Sequence, residues 1–183
     1  MNELILGGNR SGKSAFAEHK AMTCALPVTY VATATDSDPE MRSRIVQHRQ
    51  RRPKNWRLVE EPVALTRALK DHAHPDRCLL VDCLTLWLTN LLCSTGHEES
   101  SPIKESPVWK LLQKETAALL QLLPLLPGRI ILVSNEVGLG IVPMGELSRI
   151  FADEAGLLNQ KLAKICDRVT LVVAGLPYPL KQA

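Results

Sequence analysis

The residues most suited to chemistry run from Gly7 to Ser14, GGNRSGKS, and match the pattern GxxxxGK[ST] in full. The run ELIL before them predicts a strand, and SAFAEHKAM after them predicts a helix. A turn of this kind points backbone N–H groups inward, and the N-terminus of the helix adds positive potential. Lys13 can reach the outer phosphates of a nucleotide, and the Ser14 hydroxyl can ligate magnesium. The motif predicts a nucleoside-triphosphate site at Gly7, Gly8, Asn9, Arg10, Ser11, Gly12, Lys13 and Ser14.

A magnesium site also needs a carboxylate, and Asp82 is the candidate. It ends the apolar run in CLLVDCLT. In a parallel sheet such a strand ends at the same edge as the phosphate loop. The alternative is an aspartate that caps a helix beginning near Leu84. These residues predict an enzyme that uses a nucleoside triphosphate, with Ser14 and Asp82 as magnesium ligands.

A second chemically capable segment is RIVQHRQRRP, from Arg44 to Pro53. It carries His48 within a concentrated basic cluster that comprises Arg42, Arg44, Arg49, Arg51, Arg52 and Lys54. Such a cluster suits an anionic ligand, a phosphate surface or solubility alone, and composition does not choose between them. Taken by itself, a lone histidine in a basic segment is more often a solvated surface residue than a nucleophile.

Short apolar runs alternate with amphipathic segments along the chain, as in a parallel sheet covered by helices. The apolar runs lack clean alternation, which predicts strands buried on both faces over Glu3–Leu6, Val28–Ala32, Cys78–Val81, Arg129–Ser134 and Arg168–Val173. Helices are predicted over Lys13–Ala25, Pro39–Arg51, Pro62–His74, Leu84–Leu92, Pro107–Leu123 and Glu146–Asp167. The predicted fold class is α/β, a three-layer P-loop NTPase fold with a mostly parallel central sheet flanked by helices.

Composition narrows the class of protein further. At 183 residues the chain suits a single nucleotide-binding domain, residues 1–183, with a core that needs no disulfides. A formal net charge of +3 is too small to argue for nucleic acid on its own. The five cysteines form no CxxC pair, which favours reduced thiols in a cytoplasmic protein over a disulfide framework or zinc site. We expect no signal peptide and no membrane span, because the apolar runs are short or interrupted.

Several segments occur in the order of one known family: GGNRSGKS, YVATA, RIVQHRQRRPKNW, VEEP, LLVDCLTLWLTNLL, VSNEVGLGIVP and VVAGLP. On these segments the chain resembles the bifunctional adenosylcobinamide kinase / adenosylcobinamide-phosphate guanylyltransferase family of cobalamin biosynthesis. The resemblance covers nearly the whole chain. Its most specific pieces are RIxxHRxxRPxxW and SNEVGxGIVP, because a phosphate loop alone is shared by very many NTPases.

The resemblance implies two reactions on a corrinoid substrate. ATP or GTP phosphorylates adenosylcobinamide, and GMP then passes from GTP to that phosphate, which yields adenosylcobinamide-GDP and pyrophosphate. It implies a guanylylated histidine, a position matched by His48, so that His48 and Lys13 are the catalytic candidates. Relatives can carry a second histidine where this chain has Gln47. Further nucleotide contacts are implied at Ala32, Thr33, Ala34, Arg49, Gln50, Arg51, Arg52, Glu60 and Asp82.

The implied cofactor is magnesium, and the implied assembly is a homo-oligomer, a trimer in the family. A neutral imidazole is a good nucleophile near neutral pH, and guanidinium groups suit the α-phosphate and the departing pyrophosphate. Asn135 and Glu136 follow a predicted strand and are interpreted either as ligands of the corrinoid or magnesium, or as a polar turn. The three tryptophans are interpreted as packing residues.

Three alternatives stay open at this point. One is a P-loop small-metabolite kinase without guanylylation, and another is a regulatory nucleotide-binding module without turnover. The third is a nucleic-acid-stimulated ATPase with the segment from Arg44 to Lys54 as its footprint. The modest net charge, the few aromatic residues and the lack of a nucleic-acid module count against that third alternative.

Overall fold

We describe a computed structural model of the chain, in which residues 1–35, 42, 46, 52–94 and 102–182 are described. One sheet is built from β1 (Asn2–Gly7), β2 (Val28–Ala32), β3 (Arg57–Glu60), β4 (Cys78–Asp82), β5 (Arg129–Asn135), β6 (Arg168–Val173) and β7 (Leu176–Lys181). Its seven strands have the order β3-β2-β4-β5-β1-β6-β7. All neighbours are parallel except β6 and β7, which form an antiparallel hairpin.

The α-helices in the described ranges are α1 (Lys13–Met22), α2 (Leu65–His72), α3 (Leu84–Cys93), α4 (Pro107–Leu122) and α5 (Glu146–Ile165). All five were predicted, with ends that differ by a few residues. The predicted start of α2 at Pro62 is wrong, because Glu61 Oε1 accepts from the backbone N–H groups of Val63 at 3.0 Å and Ala64 at 2.8 Å and so shapes a turn before the helix. The predicted helix Pro39–Arg51 lies outside the described residues, apart from Arg42 and Val46.

Alternate residues of the central strands serve two separate cores, one on each face of the sheet. On one face Leu4, Val81 and Leu132 pack with residues of α2, α3, α4 and α5. On the other face Ile5 and Tyr30 pack with residues of α1. These two cores explain why the strands read as continuous apolar runs, since both faces are covered. The predicted three-layer α/β fold is confirmed.

The two edge strands were not predicted. β3 (RLVE) has only two apolar residues and is largely exposed, so its sequence carries little strand signal. β7 contains Pro177 and Pro179, which are tolerated because an edge strand needs fewer backbone donors. The turn between β6 and β7 has positive φ at Ala174 (51°) and Gly175 (80°), which is the requirement of a two-residue hairpin turn.

None of the helices in the described part of the chain is long and apolar enough to cross a membrane. All five cysteines are free thiols. Burial raises the pKa of Cys83 to about 11 and that of Cys166 to about 12, so both are neutral at physiological pH.

Among the side chains that pack α3 into the core, Trp87 is expected to contribute the most to the free energy of unfolding. It is fully buried, and its indole N–H donates to the Val63 carbonyl at 2.7 Å. Trp87→Ala should lower the free energy of unfolding by about 3–5 kcal/mol, because it leaves a large cavity and an unpaired carbonyl. Urea unfolding measures this loss, with Trp109→Ala at a half-buried position as the matched control. An equal loss in the two variants would contradict the assignment.

Candidate active site

The sheet register brings the predicted site residues to one edge. Gly7 pairs with Asn135, and Ala32 pairs with both Asp82 and Glu60. These residues end parallel strands, so their side chains and the loops after them share the carboxyl edge of the sheet. Ligands of open α/β sheets bind along this edge, which is therefore the candidate active site.

The phosphate loop is held in its curled form by close backbone contacts. Gly12 has φ of 94°, and a Cβ there would lie 3.1 Å from the Cα of Gly175. A Cβ on Gly7 would lie 2.6 Å from the Val172 carbonyl oxygen. The Gly175 N–H also donates to the Ser11 carbonyl at 2.8 Å. The β6–β7 turn thus supports the loop from behind, which gives the closing segment VVAGLP a structural role.

The N-terminus of α1 opens into this loop. Its first residues are Lys13 and Ser14, and no described side chain caps it. The unpaired N–H groups of such a helix end are suited to phosphate oxygens. The loop from Gly7 to Ser14 therefore has the features of a P-loop that the sequence motif predicts.

Lys13 is buried in the loop, and its ammonium group donates to the Gly8 carbonyl at 3.1 Å. Burial lowers the pKa of Lys13 from its ordinary value, while the negative charge of the neighbouring Asp82 opposes that shift. A triphosphate placed in the loop would favour the charged ammonium. The residue is thus held ready, by local contacts, for an anionic ligand.

Asp82 is held by two hydroxyl groups from different elements. Ser14 Oγ donates to Asp82 Oδ1 at 3.4 Å, and Tyr30 OH donates to Asp82 Oδ2 at 2.7 Å. Burial raises the pKa of Tyr30 far above its ordinary value, with a further contribution from Asp82, so the phenol stays protonated and donates. The alternative for Asp82, a helix cap, finds no support, because Cys83 is the N-cap of α3 and no described side chain caps that helix.

The donor set around Asp82 fits magnesium. A hydroxyl and a carboxylate lie side by side at the mouth of the phosphate loop, and magnesium prefers such hard oxygen ligands. Among the described residues there is no cluster of three or more His, Cys, Asp or Glu side chains that could hold a metal ion. Magnesium at nucleotide sites takes few protein ligands and relies on nucleotide phosphates and water for the rest.

The hydroxyl and the carbonyl of Thr33 both form hydrogen bonds within the protein. Its Oγ1 donates to the Cys83 carbonyl at 2.7 Å and accepts from the Cys83 N–H at 2.9 Å, and the residue is fully buried. Its carbonyl accepts from Asn90 at 2.7 Å. Ala32, Ala34 and Glu60 lie beside it at the same edge. Nucleotide contact by this group stays a prediction.

Of the arginines of the basic segment that are predicted to contact the nucleotide (Arg49, Arg51 and Arg52), Arg52 alone lies among the described residues. Its guanidinium carbon lies 3.7 Å from the centre of the Tyr30 ring, which brings the end of the basic segment against β2. The Trp56 ring stacks beside Tyr30, with centroids 6.4 Å apart. His48, Arg49, Gln50 and Arg51 lie outside the described residues, so their roles stay predictions.

The turn after β5 is a built polar structure. Asn135 Nδ2 donates to Thr85 Oγ1 at 2.9 Å, and the Asn135 carbonyl accepts from Asn159 at 3.1 Å. Glu136 donates its N–H to the Gly7 carbonyl at 3.0 Å, and its Oε1 accepts from the Gly138 N–H at 2.8 Å. The turn therefore braces the start of the phosphate loop, and a contact to corrinoid or magnesium stays a prediction.

Comparison with known proteins identifies the family. The family model described as cobinamide kinase / cobinamide phosphate guanyltransferase matches residues 3–180. The chain belongs to this family. The matched range includes the phosphate loop, the basic segment and the turn after β5, so the resemblance inferred from the sequence segments is confirmed. The family is an enzyme family whose named activities use nucleoside triphosphates.

Relatives of this family extend over nearly the full chain. The chain is 56% identical over 181 residues to the bifunctional adenosylcobalamin biosynthesis protein CobP of Pseudomonas aeruginosa, with 99% of this chain and 98% of that protein covered. It is 38% identical over 184 residues to the bifunctional adenosylcobalamin biosynthesis protein CobU of Escherichia coli K12, with 97% and 98% covered. A solved structure from Pyrococcus horikoshii OT3 shares the fold alone, with a TM-score of 0.53 and 10% identity over 99% of this chain and 86% of that one.

Sequence reasoning missed Tyr30 at this site. A tyrosine in a buried strand needs a partner for its hydroxyl, and Asp82 on the neighbouring strand supplies it. The position of Tyr30 two residues before the end of β2 was the available signal, because it faces the same side of the sheet as α1.

Proposed function

We propose that the protein is a cobalamin biosynthesis enzyme that carries out two successive reactions on a corrinoid. It phosphorylates adenosylcobinamide with ATP or GTP, and it then transfers GMP from GTP to adenosylcobinamide phosphate. The observation that carries the proposal is the family match over residues 3–180. The joined cradle of Lys13, Ser14 and Asp82 supports it, because both reactions need a bound triphosphate.

The first reaction is a phosphoryl transfer in the phosphate loop. The hydroxyl of adenosylcobinamide attacks the γ-phosphorus and releases its proton to water, the bond from that phosphorus to the bridging oxygen breaks, and the nucleoside diphosphate leaves. Lys13 and the N–H groups at the start of α1 stabilise the charge on the phosphate oxygens. The protein contributes position and electrostatics, and no covalent intermediate is required.

The second reaction uses His48 as nucleophile. A neutral imidazole nitrogen attacks the α-phosphorus of GTP, pyrophosphate leaves, and a phosphoramidate forms. An oxygen of adenosylcobinamide phosphate then attacks that phosphorus, the P–N bond breaks, and the imidazole is released. Arginines of the basic segment, Arg49, Arg51 and Arg52, balance charge on the α-phosphate and on pyrophosphate.

Magnesium is the proposed cofactor, held by Ser14 and Asp82 at the mouth of the loop. When bound, it would supply a Lewis acid that neutralises charge on the phosphate oxygens. The Ser14 hydroxyl and the Asp82 carboxylate lie within hydrogen-bond distance of each other, at 3.4 Å. The proposed substrates are a corrinoid and nucleoside triphosphates, and the proposed assembly is a homo-oligomer, a trimer as the resemblance implies.

Asp82→Ala should lower the rates of both reactions about 10- to 100-fold, because one proposed metal ligand is lost. Asp82→Glu should keep part of each rate, because a carboxylate remains. Initial rates measured across a magnesium titration test this, with Asp71→Ala on the exposed surface of α2 as the control. Unchanged turnover and unchanged magnesium dependence in Asp82→Ala would remove Asp82 from the proposed site.

One assay separates the proposed function from a kinase that never guanylylates. The protein is incubated with adenosylcobinamide, ATP and GTP, and corrinoid products are separated by chromatography. The proposal expects adenosylcobinamide phosphate followed by adenosylcobinamide-GDP, with release of pyrophosphate. Accumulation of the phosphate alone would support the small-metabolite kinase, and no turnover at all would support a regulatory module.

A further inference from the structure

Tyr30 contacts both the proposed metal-binding residue Asp82 and Arg52 at the end of the basic segment. Its hydroxyl donates to Asp82 Oδ2 at 2.7 Å, while Ser14 donates to the other oxygen, Oδ1, at 3.4 Å. The tyrosine is only 3% exposed. Its ring is fixed by the core that packs against α1, so the direction of the hydroxyl is fixed as well. The carboxylate of Asp82 is therefore held from two sides.

The ring of Tyr30 makes a second and separate contact. The Arg52 guanidinium carbon lies 3.7 Å from the ring centre, well within the range of a cation–π interaction. The Trp56 ring stacks beside the same ring, and the backbone N–H of Trp56 donates to the Pro53 carbonyl at 3.2 Å. The turn that leads from Arg52 into β3 is thus folded onto Tyr30, directly after the segment that carries His48.

We propose that Tyr30 is a positioning residue that joins the carboxylate Asp82 to the arginine-rich segment. The hydroxyl orients Asp82 toward the metal position, and the ring fixes where the Arg52 guanidinium lies. The inference rests on the proposed function, since it assumes that one nucleotide meets both groups. The hydroxyl and the ring of Tyr30 therefore have different roles, and mutations that remove one or both of them can separate these roles.

A residue that only filled the core would need neither a hydroxyl bonded to Asp82 nor a ring in contact with Arg52. Phenylalanine would fill the same space, but it would remove the hydrogen bond that Asp82 Oδ2 accepts from the Tyr30 hydroxyl at 2.7 Å. Outer-shell partners of metal ligands commonly set the affinity of the site for its metal. The hydroxyl of Tyr30 stands in that relation to Asp82.

Tyr30→Phe tests the hydroxyl alone, because it keeps the ring. The probe is Mn²⁺ in the presence of GDP, and its binding is followed by electron paramagnetic resonance, which requires no turnover. We expect the affinity for Mn²⁺ to fall about 10- to 100-fold. Tyr178→Phe is the matched control, since Tyr178 is 66% exposed on β7. Wild-type Mn²⁺ affinity in Tyr30→Phe would overturn the proposal.

Tyr30→Leu tests the ring. At saturating magnesium, Tyr30→Phe should recover the yield of GMP-labelled protein, while Tyr30→Leu should remain several-fold below it because Arg52 has lost its platform. Equal recovery in both variants would overturn the role of the ring. Thermal unfolding of each variant is recorded, and if Tyr30→Leu does not fold, the Mn²⁺ measurement on Tyr30→Phe decides alone. If wild type forms no GMP adduct yet the Mn²⁺ shift is present, the proposed function fails and the positioning of Asp82 stands.

Discussion

His48→Ala is expected to separate the two reactions instead of abolishing both. Formation of adenosylcobinamide phosphate needs the phosphate loop, a metal and an acceptor, so it should continue. Formation of adenosylcobinamide-GDP should fall at least about a thousandfold, because the covalent step has lost its nucleophile. The two products are quantified by chromatography after incubation with ATP and GTP. His48→Asn should behave in the same way.

His19→Ala is the control for this experiment, since His19 is exposed on α1 and lies outside the proposed chemistry. It should leave both products near wild-type levels. If His48→Ala still formed adenosylcobinamide-GDP at the wild-type rate, RIVQHRQRRP would be a basic phosphate clamp without a nucleophile. If it lost both reactions while remaining folded, His48 would belong to the phosphoryl-transfer step as well.

Lys13→Ala should lower the rates of both reactions together, by at least about a hundredfold. The structure places Lys13 inside the phosphate loop, where its ammonium contacts the Gly8 carbonyl and neighbours Asp82. Removing that charge leaves the transferred phosphates without a buried cation. Steady-state rates of each reaction with saturating nucleotide measure the effect.

The matched control for Lys13→Ala is Lys114→Ala, on the exposed side of α4. It should change neither rate. Normal guanylylation by Lys13→Ala together with a lost kinase reaction would mean that GTP uses a second phosphate site. That result would contradict the proposal that one loop serves both reactions.

The centre of the fold could be predicted from the sequence, because its signals are strong and local. The run CLLVD is too apolar to be exposed, and Asp82 at its end had to meet the edge where the phosphate loop opens. The motif around Lys13 and Ser14 combines glycines, a strand and a helix start, and each of these leaves a mark in the sequence. The contact between Ser14 and Asp82 follows from these two facts.

Other features depend on contacts that the sequence does not display. β7 contains two prolines and is exposed throughout, so its strand character comes from pairing with β6 and from the turn at Gly175. The hydrogen bond from the Gly175 N–H to the Ser11 carbonyl joins residues that are far apart in the sequence. Likewise, YVATA places Tyr30 in a buried strand but does not identify Asp82 as the partner of its hydroxyl, because that pairing requires β2 and β4 to be neighbours.

Whether the protein carries a covalent GMP on His48 is the most direct test of the account. Wild-type protein is incubated with GTP and magnesium, and its intact mass is measured before and after mild acid and after base. We predict the added mass of one GMP, loss of that mass in acid and its survival in base, because protonation of a phosphoramidate nitrogen makes imidazole a good leaving group. Peptide mapping should place the adduct on His48. No adduct, an acid-stable adduct, or one mapped to a lysine such as Lys54 would contradict the account.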